Sequence, residues 1–396
     1  MPDRIRIVLP ALLSIALGTA WTDAAVAQRR EQSWRPTAGL HVELRYDDNL
    51  FLLAANRKPD LDPVSPADAQ SGRFEDMESA TDLIPTPRLE VGLEGPGLGR
   101  RVLALSAEAV YEVNVRNPKR RHAELGFTVA QALPHGGRLR LSGDWRPQYF
   151  HKNYLQDAID LNADDNIGPE ERRYEGGRSG EVDLTLGYRH RFVESTKDRF
   201  GLSAELQVGY FDRSYDAPFP SRSRRGPGGG AALVVEMGRR WSLGLDYSYE
   251  SLTADPTREV MILDENFFGA DFNGNGSVSD DSARAFELVD RSRTEHELGA
   301  SLEGELSRVV TLELAYGRRM RSFSSEEPYD VANRSRKDTR NEFEAELDAR
   351  LARGLHLGLG ARRTVQSTNR PEDPGSTGDE TDYTRHLAWV GLRYRF

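Results

Sequence analysis

From residue 36 to the end, apolar residues recur with a period of two. Between Asn341 and Arg353, Phe343, Ala345, Leu347, Ala349 and Leu351 fall on one face, and Glu342, Glu344, Glu346, Asp348 and Arg350 on the other. A helix would scatter both sets around its circumference, so strict alternation predicts a strand with one apolar and one polar side. The same pattern marks 40–46, 103–111, 200–210 and 241–249. It predicts fourteen strands, over 36–48, 80–94, 100–116, 119–133, 136–150, 172–193, 199–215, 227–238, 241–254, 286–305, 309–324, 336–352, 355–369 and 382–396.

The connections alternate in length. Those at 95–99, 135–136, 193–198, 238–240, 307–308 and 353–354 are tight, whereas 49–79, 151–171, 216–226, 255–285, 325–335 and 370–381 are long; only the hairpin at 117–119 breaks the rule. Outer-membrane barrels have short periplasmic turns and long extracellular loops. The fold class expected is therefore all-β: a single closed antiparallel transmembrane β-barrel of about 14 strands. Closure is required because hydrocarbon offers no partner to an open sheet edge. Too little chain precedes the first strand for a large plug domain.

The last strand sharpens this expectation. Ala388, Val390, Leu392, Tyr394 and Phe396 form one apolar face, while Arg385, Trp389, Arg393 and Arg395 form the other. Leu392 should face lipid and Arg393 the lumen. This strand resembles the C-terminal recognition strand of bacterial outer-membrane proteins. That implies Phe396 as a signal to the barrel-assembly machinery, and outer-membrane lipid and lipopolysaccharide as surroundings. Aromatic residues reach for the headgroup boundary. Tyr46, Tyr111, Tyr149, Tyr210, Tyr249 and Tyr316 are expected at the outer rim, and Trp241, Phe200, Phe192, Tyr394 and Phe396 at the inner one.

Composition agrees once a barrel is considered. The chain has 396 residues, 29% of them charged, and a mean hydropathy of -0.63. Past the N-terminus no apolar run approaches the ~20 residues of a membrane helix, but a barrel strand exposes only alternate residues to lipid. The absence of cysteine excludes disulfides and thiolate sites. A net charge of -10 argues against nucleic-acid binding. Arg4 and Arg6, the apolar run 7–20 and Ala25-Val26-Ala27 read as a signal peptide over 1–27, leaving 28–396 as the barrel.

Two motifs carry candidate chemistry. In the loop 271–282, Asp271, Asn273, Asn275, Ser277 and Ser279 place oxygens at alternate positions around Gly276, as in a calcium loop, although Ser282 replaces the closing bidentate Glu. The same composition also suits an ordinary turn. Calcium is the one cofactor the sequence suggests, and none is required. The second motif is a charged pore wall, with Glu342, Glu344, Glu346, Asp348 and Arg350 facing the arginines Arg189, Arg319, Arg321, Arg393 and Arg395, supplemented by Arg138 and Arg140. Mixed charge hydrates a channel and tunes its selectivity. Carboxylates two apart on a strand lie about 7 Å apart, within glycosidase range. No Ser-His pairing or nucleophile elbow stands out, so an enzyme is not expected.

The segment Tyr46-Asp47-Asp48-Asn49-Leu50-Phe51, leaving the first strand, resembles a first-strand motif of the beta-barrel porin-2 group, which includes outer-membrane proteins encoded with exopolysaccharide machinery. The resemblance implies a Gram-negative outer-membrane barrel with a surface-polysaccharide connection, polysaccharide-export partners and no catalytic residues. Fourteen strands fall between barrels that side chains fill and barrels that enclose water. The function expected is a porin-like channel for small polar solutes or saccharides. The alternatives are a non-conducting barrel for structure or surface-polysaccharide assembly and, further off, an outer-membrane hydrolase.

Overall fold

A computed structural model of the chain describes residues 34–53, 75, 77–158, 167, 171–196, 200–238, 240–264, 282–327, 330, 333–369 and 382–396. The signal-peptide segment and the residues Asp271 to Ser279 lie outside them. The strands are β1 (Arg35–Asp47), β2 (Asp82–Pro96), β3 (Val102–Glu112), β4 (His122–Ala132), β5 (Gly137–Ala158), β6 (Arg172–Val193), β7 (Gly201–Tyr215), β8 (Arg224–Met237), β9 (Trp241–Leu252), β10 (Thr257–Asp264), β11 (Ser282–Val289), β12 (Arg293–Glu305), β13 (Val310–Phe323), β14 (Lys337–Ala352), β15 (Leu355–Thr368) and β16 (Tyr383–Arg395).

Fourteen of these close into one antiparallel barrel, in which each strand pairs with its sequence neighbours and β1 pairs with β16. The remaining two, β10 and β11, form a separate hairpin within the connection from β9 to β12. Every barrel strand thus has partners on both sides, which satisfies the backbone where no water is available. At the short-turn rim, Gly354 takes φ +73 between β14 and β15, and a Cβ there would meet the carbonyl of Arg395 at 2.4 Å. Only glycine fits a positive φ at so close an approach.

The two faces sort as the alternation predicts. Leu40, Val42, Leu206, Val208, Leu359, Val390 and Leu392 point outward and are exposed, Leu206 by 64% and Val208 by 61%. A continuous belt of this kind would aggregate in water, but it matches hydrocarbon. Phe192, Phe200, Tyr394 and Phe396 are exposed at the short-turn rim, and Tyr46, Tyr111, Tyr210 and Tyr249 toward the opposite one. His190 and His296, which interrupt the apolar face, face the hydroxyls of Tyr188 (3.4 Å) and Tyr247 (2.9 Å). The molecule is an outer-membrane β-barrel, its long connections on the extracellular side.

Three expectations need correction. The strand expected over 286–305 is two elements, the end of β11 and all of β12, separated at 290–292; the break falls in the polar run from Asp290 to Glu297, most of which belongs to β12, so polarity alone does not mark the turn. The hairpin expected at 117–119 is a loop over 113–121. It is held by Asp82, whose carboxylate accepts the backbone N–H groups of Val115, Arg116 and Asn117. Long-range bonds of this kind end β3 early and start β4 late, and the short-long alternation is then unbroken. Third, β5 runs eight residues past its expected end at 150, to Ala158. Its register against β6 shifts after Arg146, after Phe150 and after Leu155. These irregularities erase the alternation and turn Tyr149 inward: it is 2% exposed, not a girdle residue.

Candidate functional site

The lumen divides into two halves. Near the short-turn rim its charged side chains are partly open: Arg191, Glu236, Asp348 and Arg393 keep between 23% and 45% of their side-chain surface accessible, and Arg88 and Glu108, midway along β2 and β3, keep 29% and 31%. In the outer half the inward side chains are buried, among them Asp47, Arg146, Glu181, Arg213, Arg293, Glu295, Arg319, Arg340 and Arg385. Charges that are partly accessible below give way above to a lumen filled by buried charged residues.

Register explains how they pack. Glu181 lies directly opposite both Arg146 and Arg213; Arg213 donates to it at 2.6 Å, and Arg146 also bonds Glu124. Arg319 lies opposite Glu297 and bonds it at 2.7 Å, while Arg321 lies opposite Glu295 with Nε 3.2 Å from Oε2. Arg319 also faces Arg340 in register, a like-charge contact that Glu297 and Glu342 relieve by bonding one arginine each. Glu342 and Glu344 further hold Arg362, and Arg45 reaches Glu112 at 2.8 Å. Buried ion pairs cost desolvation, so each of these depends on its partner staying in place.

The first-strand segment closes one side of this half. Asp47, fully buried, takes Arg385 of β16 on both oxygens and the backbone N–H of Asn49. Asp48 holds His386 at 2.9 Å. Asn49 grips Leu53 through both its amide atoms and also donates to the carbonyl of Thr384. That folds Leu50 and Phe51 into the barrel mouth, where they join Leu53, Met77, Ala80, Ile84 and Phe150 in an apolar cluster. The segment thus locks the β1–β16 seam and turns the start of the first connection, residues 48–53, inward. Its polar residues read in sequence as a solvated loop; nothing local marks Arg385 as their partner.

Next to Phe51 lies a cavity of about 140 Å³. Among the described residues its wall includes Lys152, Arg213, Arg222, Arg224, Arg291, Arg293, Arg321 and Arg336 but a single carboxylate, Asp338, together with Tyr154, Tyr215, Phe323, Tyr383 and His151. Aromatic faces hold the guanidinium groups apart. Arg222 lies 3.6 Å from the centre of the Tyr154 ring, and Arg293 and Arg336 approach Phe323 at 5.4 and 4.8 Å. Just beyond the barrel, Glu259 of β10 binds Arg291 at 2.7 Å. Burial pushes the Glu259 carboxyl up, but Arg291 and Arg222 outweigh that and hold it below the usual carboxylate range.

The predicted pore residues divide between the two halves. Glu342, Glu344, Arg319 and Arg321 sit in the outer network. Asp348 and Arg393 pair with each other at 2.8 Å in the open half, where Arg189 donates to Ser203. Glu346 lies directly opposite Glu313, which in turn faces Glu303, so three carboxylates line up across β12, β13 and β14. Arg350 and Arg395 are exposed at the inner rim. One further pair has no local signal in the sequence: His151 Nε2 and Ser179 Oγ lie 2.7 Å apart. Ser179 is 2% exposed, so the pair ties β5 to β6 and offers no reachable nucleophile. Among the described residues, no three His, Asp or Glu side chains are grouped to hold a metal ion.

No protein-family profile and no curated protein matches this sequence. Solved structures with a similar architecture include the outer-membrane channel DcaP of Acinetobacter baumannii, at 11% identity and a TM-score of 0.42, covering 93% of this chain and 98% of that one. OccAB3 of Acinetobacter baumannii is 10% identical, with a TM-score of 0.39 and coverage of 91% and 99%. An anion-selective porin from Comamonas acidovorans is 10% identical, with a TM-score of 0.36 and coverage of 92% and 100%. At these distances the likenesses carry nothing about solutes. The barrel rests on this chain's own strand pairing.

Proposed function

We propose that this barrel is a porin-like channel for small polar solutes, with its outer half gated by its own side chains. The observation that carries the reading is the division of the lumen. The half toward the periplasm is lined by accessible charges, which hydrate a passage. The outer half narrows to a charged network and an arginine-lined cavity beside an inward-folded connection. The same filled outer half favours the second reading, a non-conducting barrel whose extracellular connections serve surface-polysaccharide assembly, as the first-strand segment implies. The last strand, ending at Phe396, is read as the signal to the barrel-assembly machinery, and the apolar belt as the surface facing outer-membrane lipid and lipopolysaccharide. Planar-bilayer recording separates the two readings. The channel reading expects current steps from the folded wild type, and larger ones from Asn49→Ala, which frees the inward connection. Silent bilayers with both folded proteins would leave the assembly reading in its place.

A further inference from the structure

The cavity at the barrel mouth has a more specific chemistry than a hydrated pore needs. Asp338 holds Arg336 and Glu259 holds Arg291, but among the described residues the arginines around Glu295 are not balanced one to one. Glu295 is shared by Arg293 (2.6 Å) and Arg321 (3.2 Å), with Arg319 at 3.9 Å. Arg321 lines the cavity, and its Nη2, although buried, makes no hydrogen bond. Arg291 is only 4% exposed, and its Nε likewise makes no hydrogen bond. Guanidinium groups brought this close repel one another, and Arg321 and Arg291 are desolvated without a full set of acceptors. Such an arrangement is costly to the empty protein and is relieved by an anion that brings oxygen acceptors with it.

The aromatic rings decide what kind of anion. A neutral sugar would need open ring faces to lie against. Here the faces of Tyr154 and Phe323 are covered by Arg222, Arg293 and Arg336. These two rings orient cations rather than offer themselves to a ligand, and planar guanidinium forks are matched by carboxylate and phosphate oxygens.

The geometry points to a binding site for a compact solute bearing two or more carboxylate or phosphate groups, held at the outer mouth by Arg321, Arg293 and Arg291. Neutral saccharides are not its ligands. The inference deepens the channel reading and rests on it only for the solute's onward passage. Binding itself is separate.

Calorimetry on the refolded, full-length barrel in detergent tests it, with citrate as the carboxylate probe, inorganic pyrophosphate as the phosphate probe and sucrose as the neutral one. Citrate or pyrophosphate should bind while sucrose gives no heat, and whichever binds more tightly identifies the oxyanion preferred. Arg321→Gln leaves Arg293 to hold Glu295. It should weaken anion binding about tenfold, the loss expected for one charge-assisted hydrogen bond, and Arg321→Lys should recover part of it. If neither anion gives heat at about 10 mM, far above the affinity of a useful site, the inference is overturned. It is equally overturned if sucrose binds as well as the anions do, or if Arg321→Gln binds like the wild type. Should Arg321→Gln fail to fold, the wild-type comparison and Arg321→Lys still decide, because a lysine that binds as tightly as the arginine would remove the argument from the guanidinium fork. Bilayer recording then stands apart: anion binding without current would retain the site and sink the channel, and current without anion binding would do the reverse.

Discussion

Replacing Arg385 by methionine should unlatch the seam where the first and last strands meet. Asp47 is fully buried and Arg385 is 4% exposed. Arg385 Nε lies 3.0 and 3.1 Å from the two carboxylate oxygens, with Nη2 on the second oxygen as well. In Arg385→Met, the Asp47 carboxylate would keep the Asn49 N–H at 3.0 Å but lose its countercharge. Stranding one partner of a buried pair costs about 3–5 kcal/mol. Removing both charges in Asp47→Asn/Arg385→Met should cost less than the arginine substitution alone, because no charge is then left without a partner. Equilibrium unfolding in urea from lipid vesicles, followed by tryptophan fluorescence, measures Arg385→Met, Asp47→Asn and the double variant against the wild type. The same contacts hold the first connection inward, so Arg385→Met should also raise conductance under the channel reading. If Arg385→Met costs less than about 1 kcal/mol, or the double variant costs the sum of the two single ones, the pair is not the coupled latch described here.

Other outcomes follow from the same structure. Leu359→Arg, outward at mid-strand, should cost about 2–4 kcal/mol, and Leu392→Arg, two residues from the Tyr394 girdle, less than that; Arg393→Leu should chiefly alter conductance, and vesicle unfolding that shows equal losses at Leu392 and Arg393 would contradict the face assignment. Gly354→Ala places a Cβ 2.4 Å from the Arg395 carbonyl at a positive φ and should lower stability by more than about 1 kcal/mol in the same assay. Glu259 sits below the usual carboxylate range, so its contact with Arg291 contributes stability above the unfolded-state value, and that contribution is lost as pH falls through the depressed folded one. Protease protection of the β10–β11 hairpin should therefore drop on acidification in the wild type, with Glu259→Gln starting low and changing little. The loop 271–282 is proposed to bind calcium weakly: calorimetry should show heat near 10⁻⁴–10⁻³ M that Asp271→Ala abolishes, and a silent wild type would make it an ordinary turn.

The architecture was legible because a membrane barrel writes its geometry into local sequence. Lipid faces one side of every strand and water or protein the other, so the alternation of Phe343 to Leu351 with Glu342 to Arg350 reports the face directly. Loop lengths report the side of the membrane in the same way. That reasoning reached fourteen barrel strands and the lipid-facing assignment of Leu392. It failed where distant residues override the local pattern. Tyr149 turns inward because of register shifts between β5 and β6, and Asp82 reorganises the 113–121 connection from another strand. The candidate site was less legible still. Arg321, Arg293, Arg291 and Arg336 come from β12, β13 and their flanking connections, and Tyr154 comes from the far end of β5. In sequence each is one polar residue among many. Only closing the barrel sets how many guanidinium groups share one carboxylate and which aromatic faces they cover, because those quantities depend on which strands are neighbours in space.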